Sequence, residues 1–147
     1  MKKDGAARIG LLIASECISV RVRRLGRLIT RIYDAALAPH GVNTAQMNLL
    51  AAIAVTGGAR AADLTHILEA EKSTLSRDLK RIEQLGWVRT AASPRGRGRI
   101  VILTPAGSRL LVELEETWNK AQAAVEKQLG PRDFARLRAA LPSPLKS

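Results

Sequence analysis

Short hydroxyl and basic side chains share one face of the segment 72–81. Apolar residues recur in steps of three or four from Leu75 to Leu85, which places them along one side of a helix. The opposite side then carries hydroxyls near the helix start and cations beyond them: Lys72, Ser73, Thr74, Ser76, Arg77, Lys80 and Arg81. Hydroxyls hydrogen-bond to phosphate oxygens or base edges, and arginine pairs with guanine through two hydrogen bonds. We therefore expect this face to contact double-stranded DNA.

A second set of cations lies in a predicted hairpin that follows the helix. The stretch 88–103 reads as two strands joined by a turn, and in that turn glycine alternates with Arg95, Arg97 and Arg99. Such a flexible basic tip is typical of the wing of a winged helix-turn-helix protein. Arg97 stands between two glycines and is the best candidate to enter a minor groove, since narrow grooves attract arginine. We expect Arg95 and Arg99 to contact phosphates.

A shorter helix must position the basic helix. Leu64, Ile67 and Leu68 form an apolar stripe just before it, and the break at 69–72 has room only for a tight turn. Gly86 follows the second helix where a left-handed C-terminal cap is favoured. The two helices therefore predict a helix-turn-helix whose second member is the recognition helix.

Long helices are predicted on both sides of this core. From residue 16 to residue 38, apolar residues step alternately by four and three, and the same stepping continues from residue 105 to about residue 129. Thr104 and Pro105 begin the second long helix, while Asn43 and Gln46 form a capping box for an intervening one. The segment 1–14 has no such pattern, so we expect a loose arm there.

The predicted fold is one mostly α domain over residues 1–147. Its winged helix-turn-helix core spans 43–104, and the flanking segments 16–38 and 105–141 are dimerisation helices. A chain of this length cannot bury both long apolar seams against its own core. We therefore expect a homodimer joined through the terminal helices.

Four segments carry a recognisable combination of residues: Leu64–Leu68, Glu71–Arg77, Leu85–Val88 and Leu103–Gly107. Together they resemble the MarR-type (multiple antibiotic resistance) transcription regulators, over roughly residues 16–141. The resemblance implies a homodimeric winged-helix repressor that is released from a palindromic operator by an effector. It places the effector in a cleft between the dimerisation helices and the winged core.

Two positions depart from the family pattern. Arg60 stands where a serine or threonine normally caps the next helix, so that cap is lost, but a cation remains near the expected path of the phosphates. The usual acidic residue near the wing tip is missing from the stretch 94–98, which predicts a mobile wing. Both changes favour electrostatic contacts with the DNA backbone.

Two features suggest different triggers for release. Arg24, Arg27 and Arg31 lie along one stripe of the first long helix: a solvated face, a source of attractive field for DNA, or a site for a small anionic or phenolic effector. Cys17 falls in the predicted first turn of that helix, where the peroxide-sensing branch of the family carries its sensor. The alternatives for Cys17 are an oxidant sensor and a small residue packed at the dimer interface.

The overall composition narrows the partner class. The chain has 24 basic and 13 acidic residues and a net charge of +11, spread along its length, which favours a polyanionic partner. A sequence-indifferent architectural DNA-binding protein is therefore the alternative to a regulator. No stretch approaches the about 20 apolar residues of a membrane span, so no membrane partner is expected.

The sequence does not predict an enzyme. Its two histidines, His40 and His66, lack a neighbouring nucleophile or metal-ligand spacing. We therefore expect no catalytic residue, no metal and no cofactor. The single cysteine cannot form an intrachain disulfide, which is consistent with a cytoplasmic protein.

Overall fold

The computed structural model describes residues 2–141, 143 and 145, which form helices around a small antiparallel hairpin. The helices are α1 (Lys2–Glu16), α2 (Ile18–Leu37), α3 (Thr44–Thr56), α4 (Ala61–Ile67), α5 (Lys72–Gln84), α6 (Pro105–Leu129) and α7 (Pro131–Ala140), with a 3₁₀ turn at Ala38–His40. The strands are β1 (Val88–Ala92) and β2 (Arg99–Leu103). The predicted mostly α, winged helix-turn-helix fold is confirmed.

The wing is attached to the helical core at its base. In the hairpin, Val88 pairs with Leu103 and Ala92 pairs with Arg99. Ala59, just before α4, pairs with Val101 from the other side: the Ala59 amide donates to the Val101 carbonyl at 3.1 Å, and the Val101 amide donates back at 2.8 Å. The loop between α3 and α4 therefore acts as a third, one-residue strand beside β2.

The helix ends that were predicted from local signals are confirmed. At the start of α3, the Gln46 amide donates to Asn43 Oδ1 at 2.9 Å and the Asn43 amide donates to Gln46 Oε1 at 3.2 Å, which is a capping box. Thr104 caps α6 by accepting a hydrogen bond from the Gly107 amide at 3.1 Å. Gly86, with φ of +77°, follows the end of α5 in the left-handed conformation.

The prediction of a loose arm over residues 1–14 was wrong, because this segment forms α1. Alanine, leucine and isoleucine dominate its second half, and their helix propensity outweighs Gly5 and Gly10, each of which costs about 1 kcal/mol relative to alanine. The prediction that Cys17 lies within the first helical turn was also wrong. Cys17 is the N-cap of α2, with an extended backbone (φ −68°, ψ 116°), and it separates α1 from α2.

One hydrophobic core joins the long helices to the DNA-binding motif. Its largest fully buried side chains come from five helices: Leu37, Leu49, Leu50, Ile53, Leu64, Ile82 and Leu114. Two hydrogen bonds connect this part of the chain to α6: the Tyr33 hydroxyl donates to Gln122 Oε1, and His40 Nε2 hydrogen-bonds with Thr117 Oγ1 at 2.9 Å. Burial raises the pKa of Tyr33 above its usual value. These contacts join α2 and the following 3₁₀ turn to α6.

The start of α2 and part of α6 present apolar side chains to solvent. Ile18 is 72% exposed and Val22 58% exposed, whereas Leu25 and Ile29 farther along the same seam are half-buried. On α6, Val112 is 72% exposed. Among the described residues, no helix is both long and apolar enough to cross a membrane.

Candidate nucleic-acid interface

The recognition helix α5 has the two faces that its sequence predicted. Leu75 and Ile82 are buried, and Leu79 is half-buried against the core. The predicted DNA-contacting residues on the opposite side are all exposed: Lys72, Ser73, Thr74, Ser76, Arg77 and Lys80. This helix carries two acids: Asp78 is half-buried and lines a cavity of about 200 Å³ together with Asn48 of α3, and Glu83 is exposed near the C-terminal end. Neither carboxylate forms an ion pair with a cation of this surface within residues 5–141.

Arg77 and Thr74 form a local pair on this surface. The Arg77 Nη2 group lies 3.4 Å from Thr74 Oγ1, a long hydrogen bond between residues three positions apart. Residues at this spacing are neighbours on a helix surface. The pair therefore presents a guanidinium and a hydroxyl together near the N-terminal end of α5, the part of a recognition helix that contacts base edges.

A concave surface connects α5 to the wing. A cavity of about 300 Å³ is lined by Ser76 and Lys80 of α5, Thr90 of β1 and Arg99 of β2. The end of α5 is also tied to the sheet, because Thr90 Oγ1 donates to Glu83 Oε1 at 2.9 Å. The structure thus brings Arg99 onto the same surface as the cations of α5.

The wing tip is exposed and depends on two glycines. Gly96 and Gly98 have φ of +136° and +115°, in a region that L-residues rarely adopt. The side chains of Arg95 and Arg97 are exposed on this tip. The predicted basic hairpin tip is therefore present between β1 and β2.

Arg60 makes a contact that the sequence did not predict. Its side chain makes no capping bond at the start of α4, as expected for arginine. Instead, the Arg60 Nη2 group donates to the carbonyl oxygen of Arg97 at 3.0 Å. No local signal could have shown this pair, because 37 positions separate the two residues.

Within residues 5–141, the cations of this surface have no carboxylate partner. The one ion pair in that range joins Lys120 to Glu116 on α6, at 2.6 Å, and it lowers the pKa of that glutamate. The positive charge of α5, the wing and Arg60 is therefore uncompensated at short range in this part of the chain. Such a surface attracts a polyanion and raises its local concentration.

The predicted effector residues do not line the apolar cavity beside α6. Arg24, Arg27 and Arg31 are exposed on α2. A cavity of about 300 Å³ lies instead between α3 and α6, and Glu115 is the one charged residue among the described residues that line it. The lining residues are Met47, Asn48, Ala51, Ala54, Val55, Leu111, Leu114, Glu115 and Trp118. This cavity lies between the winged core and a dimerisation helix, where the resemblance implies an effector cleft, but its lining residues could not be predicted because they depend on how two distant helices pack.

The other chemically distinctive residues are dispersed. Cys17 is half-buried between α1 and α2. His40 bonds with Thr117, while His66 is exposed on α4. In the described part of the chain, no three His, Cys, Asp or Glu side chains lie close enough together to hold a metal ion.

Comparison with known proteins gives the same architecture. The sequence profile of the MarR family matches residues 40–97, from the end of the 3₁₀ turn to the wing tip. An HTH-type transcriptional regulator of Bacillus subtilis, YwoH, is 26% identical over 94 residues, which are 64% of this chain and 69% of that protein. The winged helix-turn-helix segment of the chain therefore matches the MarR family.

Two solved structures of DNA-binding proteins extend the likeness beyond the matched segment. A mutant of MarR from E. coli in complex with operator DNA has a TM-score of 0.78 at 21% identity, covering 90% of this chain and 99% of that one. BpsR of Bordetella bronchiseptica, whose DNA binding is regulated by 6-hydroxynicotinic acid, has a TM-score of 0.72 at 19% identity, covering 84% and 90%. The matched segment is the DNA-binding core of MarR-type regulators, so the chain is a DNA-binding transcriptional regulator, and regulators of this type are not enzymes.

Proposed function

We propose that this protein is a MarR-type cytoplasmic repressor that binds a near-palindromic operator as a homodimer. The observation that carries the proposal is the surface on α5, where exposed hydroxyls and cations stand on a helix fixed by Leu75 and Ile82. Hydroxyls and Arg77 suit base edges in the major groove, and the cations suit phosphates. The similarity to a MarR structure solved with operator DNA supports the proposal that this protein binds an operator.

A second copy of the chain is the proposed occupant of the exposed apolar seam. Ile18, Val22 and Val112 lie on the long helices outside the winged core, where a single chain leaves them in water. Burying them between two copies is favourable by about 25 cal/mol per Å² of apolar surface. A two-fold dimer would then present its two recognition helices to half-sites about one helical turn apart.

The experiment that tests this function compares a full operator with one of its halves. The operator is selected from a random duplex library, and binding is measured to the palindrome and to an isolated half-site of equal length. We expect strong binding to the palindrome alone, with two chains per duplex, and lower reporter expression when the operator overlaps a promoter. Equal affinity for the half-site would contradict the dimer, and raised expression would contradict repression.

We further propose that a small molecule releases the repressor. The cavity between α3 and α6 suits an apolar ligand, and Arg24, Arg27 and Arg31 suit a small anionic or phenolic one. Either ligand would contact a long helix that sets the separation of the recognition helices, so a shift of that helix changes DNA affinity. The regulation of BpsR by 6-hydroxynicotinic acid supports this mode for a related fold.

Substitution of Cys17 separates a ligand trigger from an oxidant trigger. We expect peroxide to leave operator binding unchanged in both the wild type and Cys17→Ser, because a half-buried N-cap residue packs as a small apolar side chain. Operator affinity is measured before and after peroxide, with dithiothreitol treatment as the control. Release of the wild type but not of Cys17→Ser would instead identify a thiol-based oxidant sensor.

Substitution of Arg97 tests whether the wing enters a minor groove. We expect Arg97→Ala to weaken binding most on operators with A·T-rich flanks, because narrow A·T-rich grooves concentrate negative potential. Affinity is measured on operators that differ only in the flanks, with Arg95→Ala as the matched wing control. An equal loss on A·T-rich and G·C-rich flanks would make Arg97 a phosphate contact.

A further inference from the structure

The wing tip is held at one point from outside the hairpin. Within it, the Ser93 amide donates to the Gly98 carbonyl at 3.0 Å, and the Arg95 amide donates to Ser93 Oγ at 3.3 Å. The Arg60 Nη2 group supplies the third bond, to the Arg97 carbonyl at 3.0 Å. In residues 5–141 no other side chain from outside the hairpin hydrogen-bonds to the tip, so Arg60 alone links it to the helical core there.

The backbone that carries Arg60 is fixed against β2. Ala59, the preceding residue, exchanges two hydrogen bonds with Val101. Gly58 lies so close to the strand that a Cβ there would come within 2.6 Å of Ile102 Cγ2. The backbone next to Arg60 is therefore held against β2, and the Arg60 side chain spans the remaining distance to the wing tip.

The guanidinium of Arg60 also lies beside Gly98. A Cβ added at Gly98 would come 3.8 Å from Arg60 Nε and 3.9 Å from its Cζ, so a side chain there would touch the guanidinium without displacing it. Both Arg60 and the tip are otherwise exposed to solvent. The hydrogen bond from Arg60 to the Arg97 carbonyl is therefore an exposed interaction that adds little to the hydrophobic core.

We propose that Arg60 is a positioning residue for Arg97. Its guanidinium holds the Arg97 carbonyl, so the Arg97 side chain meets DNA from a wing that is already ordered and loses less conformational entropy on binding. This inference rests on the proposed function, in which Arg97 enters the minor groove. The competing role for Arg60 is a direct contact with a phosphate, because its charge has no acidic partner within residues 5–141.

A double-mutant cycle distinguishes the two roles in DNA binding. On an operator with A·T-rich flanks, we expect Arg60→Ala to weaken binding about tenfold in the wild-type background and less than about twofold in the Arg97→Ala background. Arg95 is the matched control, since its carbonyl receives no bond from Arg60: the effects of Arg60→Ala and Arg95→Ala should multiply. The same loss in both the wild-type and Arg97→Ala backgrounds would overturn the proposal and make Arg60 a phosphate contact.

A second measurement uses the protein without DNA. Amide ¹⁵N relaxation is recorded for Gly96 and Gly98 in the wild type and in Arg60→Ala. We expect order parameters to fall from about 0.85 towards about 0.6 in the variant, while the thermal unfolding midpoint stays unchanged. Unchanged order parameters would contradict the proposal that Arg60 restrains the wing tip. If Arg60→Ala lowers the order parameters but Arg97→Ala does not change DNA affinity, then Arg60 does restrain the wing tip. The proposal that Arg97 enters the minor groove is then the one contradicted.

Discussion

Arg77→Ala is expected to reduce affinity for the selected operator by about 1–3 kcal/mol, and affinity for random duplex by much less. The guanidinium of Arg77 is exposed near the N-terminal end of α5, beside the Thr74 hydroxyl. From that position it can pair with a guanine through two hydrogen bonds, which a random sequence does not offer consistently. Affinities are measured by fluorescence anisotropy at a fixed salt concentration, because phosphate contacts depend strongly on salt.

Arg81→Ala is the matched control for Arg77. Arg81 is exposed on the same helix, one turn farther from its N-terminal end, and carries the same charge. We expect it to reduce affinity for both duplexes by similar amounts, as a phosphate contact does. If Arg77→Ala behaves in the same way as Arg81→Ala, the base-reading role of Arg77 is contradicted.

Gly107→Ala is expected to destabilise the protein by about 1–3 kcal/mol or more, because α6 leaves no room for a side chain at this position. A Cβ at Gly107 would overlap the Trp87 carbonyl oxygen and lie 2.8 Å from its carbonyl carbon. The Trp87 carbonyl also accepts a hydrogen bond from the Thr104 amide at 3.0 Å. The clash therefore falls at the junction that joins α5, the wing and α6.

Urea unfolding of Gly107→Ala measures this effect, with Gly10→Ala as the control. Gly10 lies within α1 and a Cβ there would meet nothing within 4 Å, so alanine should leave the free energy of unfolding equal or higher. We expect a lower urea midpoint for Gly107→Ala alone. Equal midpoints for the two variants would contradict the close contact between α6 and Trp87.

The parts of the fold that depend on short-range signals were predictable from the sequence. Asn43 with Gln46, Gly86, and Thr104 with Pro105 mark helix ends because their side chains or backbone angles act on groups within four residues. The apolar spacing of α5 likewise predicted which of its residues are exposed. Segment α1 escaped prediction because its apolar residues show no single-sided spacing, and propensity alone is a weak signal.

The parts of the site that depend on packing between distant segments were not predictable. Arg60 contacts Arg97 because Ala59 pairs with β2. No sequence pattern near either residue predicts that pairing. The wing was predicted to be mobile because it lacks the usual acidic residue near its tip. In the structure, a hydrogen bond from Arg60 to the Arg97 carbonyl connects the tip to the helical core. The cavity between α3 and α6 likewise arises from the relative position of two helices that are far apart in the chain.

The central claim is that the surface of α5 reads sequence and does not bind DNA by charge alone. The most direct test measures wild-type affinity for the selected operator and for random duplex of equal length, across a series of salt concentrations. We predict at least about a thousandfold preference for the operator at physiological salt, within the usual range for specific regulators. Equal affinities with the same salt dependence would contradict the claim and identify a sequence-indifferent, architectural DNA-binding protein.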